Sequence, residues 1–201
     1  FLTTLDHCRE IDLPQAGGGT NVDEARAPAY VDSPGGRVAV MSTTSTYSDQ
    51  SRAGPGRPDF RGRPGVNALR HDITHHVERD VFEALLKANL ELGYTDAADA
   101  MAAFGFRGRK DAADHSTEVE FLENKFILGE EFAVSTSPNK DDLDGIGNWI
   151  RGAQKQSDWV VYGAHCHESG NTGDFHGGSR ISPPEFLVDF AHWTIDQGND
   201  L

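Results

Sequence analysis

The spacing of apolar positions changes along the chain, and the change separates helices from strands. Phe1, Leu2, Leu5 and Ile11 recur at loosely helical spacing in "FLTTLDHCREIDLP", which Pro14 closes. "APAYVDSPGGRVAVMSTTS" predicts a hairpin instead: one strand around Tyr30, a turn over Ser33 to Gly36, and a return strand through Val38, Val40 and Ser42. In "ERDVFEALLKANLELGY", Val81, Leu85, Leu86, Leu90 and Leu92 mark the apolar stripe of a helix that Gly93 stops. A short helix is expected over Asp96 to Phe104. "EVEFLENKFILGEEFAVSTSP" predicts two strands joined near Gly129. A helix over 141–156, the strand "DWVVYGAH", a polar loop and a last helix in "SPPEFLVDFAHWTIDQG" follow. The last helix is expected to have Ser182 as N-cap, Pro183 as its first residue and Gly198 as its stop.

This alternation predicts an α/β fold, expected as a single domain over residues 1–201, in which polar residues at strand C-termini line the ligand crevice. "VVYGAHCHESGNTGD" sits at such an end. Residues two apart in a strand face one side, so His165 and His167 are expected to enter one crevice while Cys166 points away. Two imidazoles at that spacing suit metal ligation, and Glu168 beside them suits orientation of a ring or acid–base work. The plain alternative for an isolated His-x-His is a solvated strand exit. No GxSxG elbow, P-loop or CxxC pair is present, so neither a serine-hydrolase nor a P-loop nucleotide-hydrolase reading has support.

Charge adds a second constellation. Thirty-two acidic residues against eighteen basic ones give a formal charge of -14, which argues against nucleic acid as the main partner. Yet residues 52–70 hold Arg52, Arg57, Arg61, Arg63 and Arg70 with one acid, Asp59, in a Gly- and Pro-rich stretch expected to be a long loop. Arginine offers planar, bidentate donors to carboxylate or phosphate, so these five and Asn67 are candidate substrate-binding residues. Pairing with the protein's own acidic surface is the alternative. His75, His76 and His192 are expected to be surface or packing residues, and His176 is not expected to be a ligand. Cys8 and Cys166 form no disulfide framework. No apolar run is long enough to cross a bilayer. The start at Phe1 without a methionine and the stop after a helix suggest an interior piece of a longer protein.

Taken together, "GGGTNVDEARAPAYVDSPGGRVAVMSTTST", "SRAGPGRPDFRGRPGVNALR", "SDWVVYGAHCHE" and "PPEFLVDFAHWTIDQGNDL" resemble the CapA-type poly-γ-glutamate capsule-biosynthesis proteins, relatives of calcineurin-like metallophosphoesterases. The resemblance covers nearly the whole chain. It implies a metallophosphoesterase-like α/β/β/α sandwich, incomplete in this chain, with a divalent metal (Mn, Zn or Fe) at the strand C-termini. His165 then corresponds to a metal ligand, and His167 and Glu168 line the same pocket, with catalytic roles for both and a metal-binding role for His167. Other members read closer to "HWGxEY" at this point, a departure that bears on His167. The family's Asp and Asn-Asn-His segments and its Gly-His-x-Pro-His segment do not occur in these 201 residues. The implied function is a metal-dependent hydrolase-like protein acting on an anionic polymer or a phosphate-containing substrate, in or near the cell envelope. The alternative is a non-catalytic polyanion-binding or capsule-assembly factor.

Overall fold

The hairpin read from the sequence seeds the larger core in the computed structural model, which describes residues 1–94, 117–170 and 182–201. In chain order the elements are α1 (Leu2–Glu10), β1 (Gly18–Gly19), α2 (Val22–Arg26), β2 (Ala29–Ser33), β3 (Gly36–Thr44), β4 (Gly65–Val66), β5 (His71–Val77) and α3 (Arg79–Glu91). Then follow β6 (Glu118–Phe121), β7 (Asn124–Leu128), β8 (Ala133–Pro138), α4 (Lys140–Gln154), β9 (Trp159–His165) and α5 (Glu185–Asp196). The helix expected over 96–104 and His176 lie outside the described residues.

β2 and β3 pair antiparallel, and β9 runs parallel to β3 on its other edge, giving the order β2-β3-β9. The hairpin turn depends on Gly36 at φ +127°, where a Cβ would lie 2.6 Å from the Asp158 carboxylate. That carboxylate accepts the Arg37 N–H at 2.7 Å and so ties the start of β3 to the start of β9. Alternation puts Ala39, Met41 and Val160 on one face. α4 and α5 cover that face with Ile146, Ile150, Ala153, Phe186 and Phe190. Burying each of the larger side chains contributes roughly 1.5–3 kcal/mol. The opposite face leaves Val31, Val40 and Trp159 exposed.

A second sheet has the order β6-β7-β5-β8. Phe82 of α3 packs with Val77 and Val119 against it. The two parts meet where β8 touches α5: the Phe186 N–H donates to Thr136 Oγ1, the Thr136 N–H donates to Glu185, and the His71 ring stacks on Phe186 at 4.1 Å. His75 and His76 belong to β5, where His75 stacks on Phe126 and His76 Nε2 lies 2.8 Å from Ser135 Oγ.

Three local expectations are corrected. The turn expected at Gly129 lies at Leu122 and Glu123, both with positive φ (50° and 64°), so the segment forms three strands and not two. Leu-Glu carries none of the Asn or Gly that usually mark such a turn. The stripe of α3 ends early: Val81, Leu85 and Leu86 pack beside the buried Phe82, whereas Leu90 is 70% and Leu92 61% exposed. The last helix begins after Pro184 as N-cap, while the Ser182 carbonyl accepts the N–H of Gly170.

Candidate functional site

β3 and β9 end side by side, with Thr44 opposite His165. The Ser45 N–H donates to the His165 carbonyl at 3.0 Å, so the two exit loops leave the sheet together. The Thr44 hydroxyl donates to the Thr46 carbonyl at 2.9 Å. Its proton is thereby committed, and Thr44 Oγ1, 3.1 Å from His165 Nδ1, acts there as acceptor of an Nδ1–H. That assignment leaves the lone pair of His165 on Nε2. His167 Nε2 lies 2.9 Å from it. The two imidazoles lie side by side and exposed, and Cys166 packs against the core.

Two nitrogens 2.9 Å apart can share one proton or face one cation. At ordinary imidazole–metal lengths of about 2.0–2.1 Å, this spacing subtends about 90° at the cation, which suits two adjacent coordination positions. Among the described residues no group of three or more His, Cys, Asp or Glu is arranged to hold a metal. The chain's described residues therefore fit half of a site.

Glu168 gathers donors from both strand exits. Its Oε2 accepts from Ser45 Oγ at 2.7 Å, Thr46 Oγ1 at 3.0 Å, Cys166 Sγ at 3.1 Å and the His167 N–H at 3.1 Å. Burial raises its pKa, but the donors outweigh burial and hold the carboxyl below its ordinary value. A lowered carboxyl pKa contributes stability above the unfolded value, and that contribution is lost as pH falls through the folded one. The carboxylate is accordingly charged at neutral pH. Cys166 is pushed the other way, its thiol pKa raised chiefly by burial.

The arginine stretch is a folded hairpin. The Ala53 N–H donates to Val66 O, Gly54 N–H to Arg63 O, and Arg57 and Phe60 exchange both backbone bonds at the tip. Its base is bridged to the strand end, since Arg52 pairs with Val66 and Ala68 with Thr44. Gly62 sits at φ +92°, and a Cβ there would lie 2.7 Å from the Asn21 Cβ and 2.8 Å from Gly54 O. Gly62→Ala is expected to destabilise the protein by about 1–3 kcal/mol, read from chemical denaturation.

The hairpin sorts the candidate residues into two groups. Asn67 is 1% exposed: its side-chain Nδ2 donates to Ser42 O and the Tyr162 hydroxyl, and its backbone carbonyl accepts from Thr44 N–H and Thr43 Oγ1. Tyr162 is correspondingly buried, which pushes its phenol well above the usual range. Arg70 spans Asp142 with Nε at 2.8 Å and Nη2 at 3.0 Å, and Arg63 Nε donates to the Arg52 carbonyl. Arg57 and Arg61 differ. With Thr20, Asn21, Gly56, Pro58 and Phe60 they line an open cleft of about 420 Å³. Arg57 also lies 3.5 Å from Asp59, while Arg61 has no ion-pair partner among the described residues.

Sequence reasoning passed over the hydroxyl run Ser42 to Thr46, although consecutive Ser and Thr at the end of an apolar strand are a legible sign of polar work there. It also passed over Asp142, whose partners are distant in sequence.

An α/β sheet with two imidazoles and a hydroxyl-clasped carboxylate at adjoining strand ends defines a polar strand-end site of the kind that serves ligand binding or catalysis. The family model described as bacterial capsule synthesis protein, PGA_cap, matches residues 1–201. The chain belongs to the bacterial capsule synthesis protein family. It is also 27% identical over 191 residues to each of two proteins of Sinorhizobium fredii, "Uncharacterized protein y4sH" and "Uncharacterized protein y4uA". Those matches cover 95% of this chain and 37% of each relative's own length.

Proposed function

We propose that the protein is a metal-dependent hydrolase-like member of its capsule-biosynthesis family, acting on an anionic polymer or a phosphate ester at the ends of β3 and β9. The observation that carries this reading is the approach of His165 and His167 Nε2 to 2.9 Å, with Thr44 directing the His165 lone pair outward. These two residues would hold a divalent cation, Mn, Zn or Fe. When bound, the cation would supply Lewis acidity toward the scissile ester or amide. The chain's own part is to hold both rings in register and keep their nitrogens deprotonated toward the cation.

A second layer over Val31, Val40 and Trp159, as in a metallophosphoesterase-like α/β/β/α sandwich, belongs to the same proposal; the apolar exposure of that face supports it. The test is hydrolysis of phosphomonoester, phosphodiester and γ-glutamyl substrates by the intact protein with Mn²⁺ or Zn²⁺. Turnover lost in His165→Ala supports the reading, and absence of turnover together with absence of retained metal removes it.

The cleft at the hairpin tip favours a second reading, a non-catalytic polyanion binder. Two exposed guanidiniums of the arginine set, Arg57 and Arg61, line it. Arg57→Ala with Arg61→Ala is expected to weaken binding of poly-γ-glutamate by about tenfold or more at low salt, with a shallower salt dependence. Titration by calorimetry at two ionic strengths measures it. Binding retained in His165→Ala without any turnover in the parent would favour the binder over the enzyme.

A further inference from the structure

We infer that Glu168 is a positioning residue, clasping the two strand exits through Oε2 and thereby setting the His165–His167 geometry, and that this oxygen does not handle protons. This rests on the proposed metal reading for its consequence, though not for its geometry.

The chain of contacts runs from the carboxylate to both rings. Two of the donors to Oε2, Ser45 and Thr46, follow β3, and the other two, Cys166 and His167, follow β9. One oxygen therefore gathers both exits. The His167 N–H is held twice, by Oε2 at 3.1 Å and by Thr46 Oγ1 at 2.8 Å, which fixes the backbone from which its ring departs. His165 is reached by a second branch. Thr46, held by Glu168 through its hydroxyl, offers its carbonyl to Thr44, and Thr44 in turn accepts from His165 Nδ1. Releasing Thr46 frees the Thr44 proton and lets His165 exchange tautomers, so the lone pair on Nε2 is no longer enforced.

The same contacts argue against acid–base work at Oε2. A base must present a lone pair to the incoming proton, and four donors already crowd this oxygen. Glutamine keeps an oxygen acceptor but cannot titrate, whereas alanine keeps neither. The two substitutions therefore separate clasping from proton transfer.

The experiment compares Glu168→Gln, Glu168→Ala and Thr46→Val with the parent chain. Zn²⁺ and Mn²⁺ affinity is measured by calorimetry, and imidazole ¹⁵N spectra of the metal-free proteins report the tautomers. Glu168→Gln is expected to stay within about threefold of the parent affinity and to keep the Nδ1–H form of His165. Glu168→Ala is expected to lose about tenfold to a hundredfold and to mix tautomers, as losses of outer partners commonly do. Thr46→Val, which leaves the carboxylate in place, is expected to move the same way and serves if Glu168→Ala does not fold. Unchanged affinity and tautomers in Glu168→Ala or Thr46→Val would overturn the inference. So would turnover abolished equally by Gln and Ala with unchanged ring spectra, the pattern of a proton-transfer residue. A parent that binds neither metal defeats the metal reading alone, because the ring spectra still report the clasp.

Discussion

Replacing Asp142 with alanine is expected to lower the stability of the protein by about 3–5 kcal/mol, measured by equilibrium denaturation in urea. Asp142 is 4% exposed. Its Oδ1 accepts from Arg26 at 2.7 Å and Arg70 at 3.0 Å, and its Oδ2 accepts from the Arg70 side chain at 2.8 Å and the Arg70 backbone N–H at 3.0 Å. One carboxylate thus joins α2, the start of β5 and the first turn of α4. The Arg26 side chain is 14% exposed, so the substitution strands a charge that water reaches poorly. Breaking such a pair costs far more than the intact pair is worth over an apolar substitute. Asp142→Asn is expected to fall between the two, since an amide oxygen still accepts while the charge is lost. A loss under about 1 kcal/mol in Asp142→Ala would show that Arg26 and Arg70 find other partners.

The second large effect is expected at the strand ends. His165→Ala combined with His167→Ala should weaken divalent-metal affinity by more than about a hundredfold, because loss of outer partners alone commonly costs about 10–100-fold. Both side chains are exposed. The metal-free double variant should therefore unfold within about 0.5 kcal/mol of the parent, as surface substitutions do. Calorimetry of metal binding, set beside thermal unfolding without metal, separates the two effects. Equal destabilisation of the metal-free protein would mark the pair as structural.

The parts of the fold legible in the sequence are those where local pattern and burial agree. The hairpin of β2 and β3 shows its alternation and its Gly35–Gly36 turn, and "DWVVYGAH" ends where its apolar run ends. The two-residue period read correctly up to His165, where β9 ends; His167 follows the strand, with its N–H held by Thr46 and Glu168. α3 was legible as a helix, with Val81, Leu85 and Leu86 on its packed side, but not in where that stripe ends. Leu90 and Leu92 extend the apolar count past the turn that packs, and Phe82 takes the buried position.

What could not be read arises from contacts distant in sequence. Asp142 meets Arg26 and Arg70 from 116 and 72 residues away, and no local pattern announces such a partner. The same holds for Glu168, whose neighbours in sequence suggest a group that orients a ring or acts as an acid or base. Its donors Ser45 and Thr46 arrive only because β3 and β9 end in register. The arginine stretch shows the opposite limit. Its composition suggested an anion-binding loop, but composition could not say that Asn67 would be buried, that Arg70 would be tied to Asp142 and that Arg57 and Arg61 would line the cleft.

The most direct measurement is Mn²⁺ and Zn²⁺ titration of the purified parent chain, followed through the ¹⁵N resonances of its imidazoles. The metal-site account predicts one cation per chain, with the Nε2 resonances of 165 and 167 shifting together as ligand nitrogens. Saturating metal that leaves both resonances in place, or shifts only histidines of β5, would contradict it.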